Sequence, residues 1–279
     1  MTPVTAPAEL GRGRAAPDTL EPELTYATYL GLDRVLTAQR PRSPAHDETL
    51  FIVVHQVYEL WFKLLLHELA ELQHRLAAGA GERALAALRR SLVVLDTATA
   101  QMDVLDTLTP AQFAAFRGCL GTASGAQSAQ FRELEAVLGR RERRVLEAYR
   151  PGSPERRRIE AAMSRMCVFD SFLRYLAVQG HPVPGDVLFR NVSLPIEPSP
   201  DVQDVLVRAC RTDEVAARLC EALLELDELL REWRRRHGRL VRRLIGDLPG
   251  TGGTSGAAYL QATLATPLWA DLLAVRDLW

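Results

Sequence analysis

The chain has 279 residues, 47% hydrophobic and 25% charged, with 34 basic against 35 acidic side chains and a formal net charge of -1. Such a chain should bury about 70–75% of its unfolded surface, and its balanced charge excludes the domain-wide basic field that would hold a nucleic-acid backbone. Cys119, Cys167, Cys210 and Cys220 form no CxxC pair, which predicts reduced thiols rather than a disulfide framework or a zinc site.

The N-terminus lacks a basic start followed by an apolar stretch, and no apolar run approaches the ~20 residues that span a bilayer. The expected location is cytoplasmic, with neither membrane nor nucleic acid as a partner. Residues 1–22, rich in Ala, Pro, Thr and Gly, read as a disordered arm, and residues 23–279 as one all-helical domain. A first long helix follows Ser43-Pro44 and runs to about Ala78, with Gly79 placed for a left-handed stop. A second covers about Arg83 to Leu105. Thr109-Pro110-Ala111-Gln112 is a capping box with proline at the first helical position, opening a short helix to about Cys119.

After Gly121 to Gly125 another helix runs to about Leu138, and Ser153-Pro154 opens one that ends near Gly180. The stretch from His181 to Asp201, with five prolines, reads as a long loop or surface crossover. Thr212 is expected to cap the last long helix, which runs to about Ile245 and stops at Gly246. The runs Arg140 to Arg144 and Arg156 to Arg158 read as solvated helix faces. Lys63 is the only lysine, a skew that points to coding bias rather than to function.

Along the last helix Leu219, Leu223, Leu226, Leu230, Trp233, His237, Leu240 and Leu244 recur at spacings of three and four, an unbroken apolar stripe. Arg234 to Arg236, Arg239, Arg242 and Arg243 are assigned to its wet side. His237 sits inside the stripe, and His55 lies on the first helix with Phe51, Tyr58 and Phe62 on one apolar face. A histidine on such a face is ordinarily a hydrogen-bonded core residue. Two of them on two long helices favour a cofactor cavity. A carboxylate di-iron centre would need a second Glu-x-x-His beside Glu71-Leu-Gln-His74, and there is none. A haem asks for less: one inward imidazole, an apolar slot and an open position opposite, which His237, Trp233 and His55 can supply.

Phe113, Phe116 and Arg117 share one side of the short helix. An arginine there snorkels, pairs with a buried carboxylate or clamps an amino-acid carboxylate, and periodicity does not separate these. Gly250-Thr-Gly-Gly-Thr-Ser-Gly256 lacks the lysine of a phosphate loop and reads as a linker or a lid.

Several segments resemble tryptophan 2,3-dioxygenases. They are His46-Asp-Glu-Thr-Leu-Phe-Ile through His55-Gln-Val-Tyr-Glu-Leu-Trp61-Phe-Lys63, Leu105 through Pro110 with Phe116-Arg117, Ala123-Ser-Gly-Ala-Gln-Ser128, Trp233-Arg-Arg-Arg-His237, and the glycine-rich stretch. Their order holds from about Leu24 to the C-terminus. The resemblance implies an all-α, homotetrameric helical bundle with a haem b pocket between long helices, which inserts dioxygen across C2 and C3 of the L-tryptophan indole to give N-formylkynurenine. It implies His237 as the axial ligand to a ferrous haem iron, with Trp233, Met102 and Ala126 around the cofactor. His55 is implied as the distal histidine that meets the indole N–H, and Phe51 as the wall against the ring. Arg117 is implied as the carboxylate clamp beside Phe113, Ser124 and Gly125, and Thr251 as the partner of the ammonium. Tyr26 and Tyr29 match a pair that reaches a neighbouring subunit's site.

Three positions depart from the family's usual pattern, which has tyrosine at Phe113, phenylalanine at Ala126 and an aromatic at Met102. The departures leave open a substituted tryptophan as substrate, a mono-oxygenase giving a 2-oxindole or hydroxylated product in natural-product biosynthesis, or a sensor that binds haem and tryptophan without turnover.

Overall fold

The computed structural model describes residues 24–246, 248, 250 and 266–279, so the expected arm over residues 1–22 lies outside the described residues. Two compact units divide the chain, Met1–Arg40 and Pro41–Trp279. Among the described residues every regular element is a helix.

In the first unit, helices α1 (Tyr26–Leu30) and α2 (Leu32–Leu36) meet at Gly31, whose φ of 62° suits a residue without Cβ. Thr25 and Thr28 close a capping box at the start of α1. Neither helix buries a residue, and Leu24, Tyr26, Tyr29 and Leu36 are exposed.

The second unit is built on three long helices: α3 (Asp47–Ala77), α4 (Gly81–Ala100) and α12 (Glu214–Ile245). The carboxylate of Glu48 reaches back to accept from the Arg42 and Ser43 amides at 2.8 and 2.7 Å, so the Ser43-Pro44 turn is tied to the first turn of α3. The helix ends before Gly79, which takes the left-handed conformation expected of it at φ 68°. Contrary to the expectation that no apolar run approaches bilayer length, α3 is by length and composition apolar enough to cross a membrane, with a mean hydropathy of 1.4 in its apolar stretch. The core helix of a soluble protein passes the same test. One face carries Val54, Tyr58, Phe62, Leu65, Leu69, Leu72 and Leu76 into the core. Each such side chain contributes about 1.5–3 kcal/mol on burial.

The helix expected over Arg83 to Leu105 is two. At Gln101 the amide side chain accepts from Trp61 Nε1 at 2.9 Å and donates to the Val54 carbonyl at 3.0 Å, and the chain passes into α5 (Met102–Asp106). Next, α6 (Pro110–Arg117) opens with the Thr109/Gln112 capping box as read from the sequence. A short 3-10 turn at Gly125–Gln127 precedes α7 (Ala129–Leu138).

The helix expected from Ser153 to Gly180 is likewise broken, into α8 (Pro154–Met163) and α9 (Val168–Val178). Arg141 and Gln73 both meet the break, Gln73 donating to the Met166 carbonyl at 3.0 Å. Arg141, a buried side chain assigned from the sequence to a wet face, donates to the carbonyls of Val192, Ala136 and Arg165, and the last is freed by the break. Asp170 receives the Cys167 amide at 2.9 Å and a two-pronged grip from Arg190 at 2.7 and 2.9 Å. That fork pins the proline-rich stretch, which includes α10 (Gly185–Leu188).

Proline at the first helical position ends the loop earlier than expected, since α11 runs over Pro200–Thr212. The cap of α12 is therefore Asp213, whose Oδ1 accepts from Val215 and Ala216, rather than Thr212. The chain closes with α13 (Ala270–Val275), tied by Asp271 to Ser199 and Gln203. All four cysteines are free, Cys119 exposed and the other three buried.

Where α4 begins, a Cβ on Gly81 would stand 2.6 Å from Val215 Cγ1 and would also collide with the Tyr175 hydroxyl. Gly81→Ala is therefore expected to lower stability by about 1–3 kcal/mol despite alanine's better helix propensity. Thermal unfolding should show a lower Tm; an unchanged or raised Tm would contradict this packing.

Candidate active site

Helix α3 presents Phe51, His55, Tyr58 and Phe62 along one side, at helical spacing. Phe51 lies 4.0 Å from the His55 ring and 5.8 and 5.5 Å from Phe113 and Phe116 of α6, by ring centroids. Tyr58 continues the array, 6.5 Å from His55 and 6.2 Å from Trp233 of α12. Trp233 in turn lies 5.1 Å from His237 and is boxed in by Phe62 at 6.0 Å and Phe131 at 4.9 Å. Three helices and the start of α7 thus converge on a continuous aromatic wall with an imidazole on α3 and another on α12.

The two imidazoles differ chemically. His55 Nδ1 lies 2.7 Å from the Phe51 carbonyl, which can only accept, so Nδ1 carries the proton and Nε2 keeps its lone pair. Burial pushes the His55 pKa below 6.5, outweighing the Phe51 carbonyl and Glu59, which raise it. The neutral ring with an acceptor at Nε2 is thus the form at neutral pH. At His237, burial and, to a lesser degree, the neighbouring His55 push the pKa down to about 4. Part of this residue is reachable from outside, yet its Nδ1 is sealed and has no hydrogen-bond partner.

A sealed ring nitrogen left without a hydrogen-bond partner is unusual in a folded protein. Among the described residues no group of three histidine, cysteine or carboxylate side chains could hold a bare metal ion. A lone histidine suits a metal that brings its other ligands with it, as iron in a porphyrin does. The donor set and its apolar surroundings therefore fit a haem held through His237.

The remaining expected residues fall in several places. Arg117 is half-buried at the end of α6, next to Phe116, which is fully buried. Ser124 is half-buried and caps the 3-10 turn, with its hydroxyl accepting from the Ala126 amide at 3.3 Å. Gly125 is exposed and Ala126 half-buried. Met102 is fully buried at the start of α5, in the main core. Tyr26 and Tyr29 are exposed on α1 of the first unit. Thr251 lies outside the described residues. A groove of about 760 Å³ lined by Leu66, Gln73, Val137, Met166 and Tyr175, among others, contains none of these side chains.

Sequence reasoning missed the charges that hold the wall together. Arg234, assigned to the wet side, is 1% exposed and donates to Glu135 at 2.7 Å. Arg243 clasps the end of α12 to the turn before α6, donating to the carbonyl of Leu108 at 2.8 Å and to Asp106 at 3.1 Å. The available signal was that Asp227 and Arg234, seven apart, flank the leucine stripe on one side, as they would on a helix packed on two faces.

The tryptophan 2,3-dioxygenase family model matches residues 14–153 and 201–278. A tryptophan 2,3-dioxygenase of Anaeromyxobacter sp. (strain K) is 57% identical over 253 residues, 91% of this chain and 95% of its own length. That of Herpetosiphon aurantiacus is 48% identical, covering 91% and 97%, and that of Caulobacter vibrioides 39%, covering 91% and 98%. An all-helical bundle with an imidazole on an aromatic wall, a donor set that fits a haem, is the class that the fold and site define. The chain belongs to the tryptophan 2,3-dioxygenase family of haem-dependent oxidoreductases.

Because Arg243 sets α6 against the end of α12, Arg243→Met should cost about 1 kcal/mol and lower Tm by about 2–4 °C. A Tm identical to that of the parent would remove this clasp from the account.

Proposed function

We propose that the protein is a haem b oxygenase that converts L-tryptophan and dioxygen to N-formylkynurenine. The observation that carries the reading is the pairing of a neutral, acceptor-bearing His55 with a sealed, orphaned His237 on one aromatic wall, in a chain of this family. His237 would hold the iron, with Trp233, Met102 and Ala126 bordering the cofactor. When bound, haem supplies the activation of ground-state dioxygen that a closed-shell indole cannot achieve.

The side chains bind and orient the substrate. Nε2 of His55 accepts the indole N–H, and the hydrogen bond from Nδ1 to the Phe51 carbonyl keeps the ring turned for it. Phe51 offers the indole an apolar wall. Arg117 provides a planar fork for the carboxylate, with Phe113, Ser124 and Gly125 nearby and Thr251 as the partner of the ammonium. Fixing both ends of the amino acid brings its C2–C3 bond to a defined place, and such orientation is worth several kcal/mol. Both oxygen atoms enter the product, so the reaction consumes no stoichiometric reductant.

We further propose a homotetramer in which Tyr26 and Tyr29 enter the neighbouring subunit's site. Support comes from α1 and α2, which bury no side chain of their own and leave two tyrosines, two leucines and a valine exposed. Free thiols fit a cytoplasmic location.

Turnover under labelled dioxygen tests the reaction. Two labelled atoms in a ring-opened product are expected; one label in an intact ring would establish mono-oxygenation instead. His237→Ala should lose or strongly shift the haem Soret band, and an unaltered spectrum would refute the ligand assignment.

The pH profile gives a separate check. Protonation of His55 turns its acceptor into a donor, and its pKa lies below 6.5. The acid limb of kcat/KM should therefore have its midpoint below pH 6.5, activity being lost as pH falls through the folded-state pKa. An acid limb with its midpoint above pH 6.5 would show that the imidazole is not the desolvated neutral group described.

A further inference from the structure

The connection Gly118–Ser128 leaves α6 directly after Arg117 and enters α7 just before Phe131, so it joins two sides of the aromatic wall. Two of its glycines, Gly121 and Gly125, leave it little intrinsic stiffness, and its turn is exposed at Gly125. Tyr149 donates to the connection's Gln127 carbonyl at 3.1 Å, and a buried charge cluster on the helices behind holds it at Ala126. Glu135 of α7, 6% exposed, accepts from Arg234 of α12 through Oε1 and from Arg132 of α7 through Oε2, both at 2.7 Å. Arg132 then extends its second terminal nitrogen to the carbonyl of Ala126 at 3.4 Å. Its guanidinium also lies 5.9 Å from the Phe131 ring, the ring that packs on Trp233.

Apolar contacts between α7 and α12 resist separation but only weakly resist sliding, because dispersion has no direction. A carboxylate held on both oxygens by buried guanidinium groups does define a register. Arg234 follows Trp233 and sits three residues before His237, so the register defined is that of the helix bearing the proposed iron ligand.

We propose that Arg132 is a positioning residue for substrate binding: held by the buried Glu135–Arg234 pair, its fork ties Ala126 and with it the Gly118–Ser128 connection to helix α12. The inference rests on the proposed function, since Arg117, Ser124 and Gly125 are the substrate-side residues whose placement the connection sets. It needs a fork. A lysine at this position keeps the ion pair with Glu135, but a single ammonium cannot also reach the Ala126 carbonyl in the guanidinium's geometry.

The test uses the full-length, haem-loaded protein as wild type, Arg132→Lys and Arg132→Met. Amide hydrogen exchange, calorimetric L-tryptophan affinity, KM, kcat and Tm are measured for each. In Arg132→Lys the amides of residues 118–128 are expected to exchange at least 5-fold faster, with those of α12 unchanged and Tm kept. Its Kd and KM for L-tryptophan should rise about 5–20-fold, while kcat changes less than 2-fold. Arg132→Met should reproduce the exchange and affinity changes and lower Tm as well. Unchanged exchange in Arg132→Lys overturns the tie. Faster exchange with Kd and KM at wild-type values overturns the positioning role, as does a fall in Tm and kcat with affinity unmoved. If the wild type itself neither binds nor turns over L-tryptophan, the proposed function has failed, and the exchange measurement alone then decides whether Arg132 holds the connection.

Discussion

Trp233 sits at the junction on which the rest of the site depends. Its indole packs against Tyr58 and Phe62 of α3 and Phe131 of α7 and reaches His237 one turn along its own helix. A buried tryptophan contributes several kcal/mol through area, and each edge-on or tilted ring contact adds about 0.5–1.5 kcal/mol. Losing that ring would free α12 to rotate, and the two imidazoles would no longer share one wall. The placement of His55 and His237 on one wall is thus a consequence of packing one large side chain among three others.

Packing brings the helices together, and buried polar groups decide their register. Gln101 bridges Trp61 and the Val54 carbonyl, Arg141 gathers three carbonyls from separate segments, and Glu135 joins α7 to α12. Each would be costly to leave half-made in a low-dielectric interior, so each excludes neighbouring arrangements more sharply than apolar contact does. Burial pushes the Arg141 pKa downward, because the charged guanidinium gives up solvent there.

The departures from the usual family pattern fall on contrasting environments. Phe113 is buried against Phe51 and Phe116, where a bare ring fills space without a hydroxyl to satisfy. Ala126 is a small residue whose backbone carbonyl carries the bond to Arg132, so its contribution to position runs through the main chain. Met102 is enclosed by core neighbours, and a flexible thioether fits such an irregular gap well. All three are compatible with the same fold; two remove an aromatic ring and the third a hydroxyl.

The amino-acid order by itself determined the all-helical class, the capping box before Pro110, the left-handed stop at Gly79 and the apolar stripe that places His237 inward. These depend on local propensity and period, which neighbours in sequence control. Long motifs made the family legible as well. Tertiary structure alone decided where the helices break, at Gln101 and between Met163 and Val168, because those breaks answer to partners 47 and 24 residues away. It also decided that Arg234 is buried, that His55 is held in one tautomer by the Phe51 carbonyl, and that Arg132 grips Ala126. Charge patterning marks an arginine as wet by default, and what makes burial stable arrives from other segments of the folded chain: Glu135 for Arg234 and three carbonyls for Arg141.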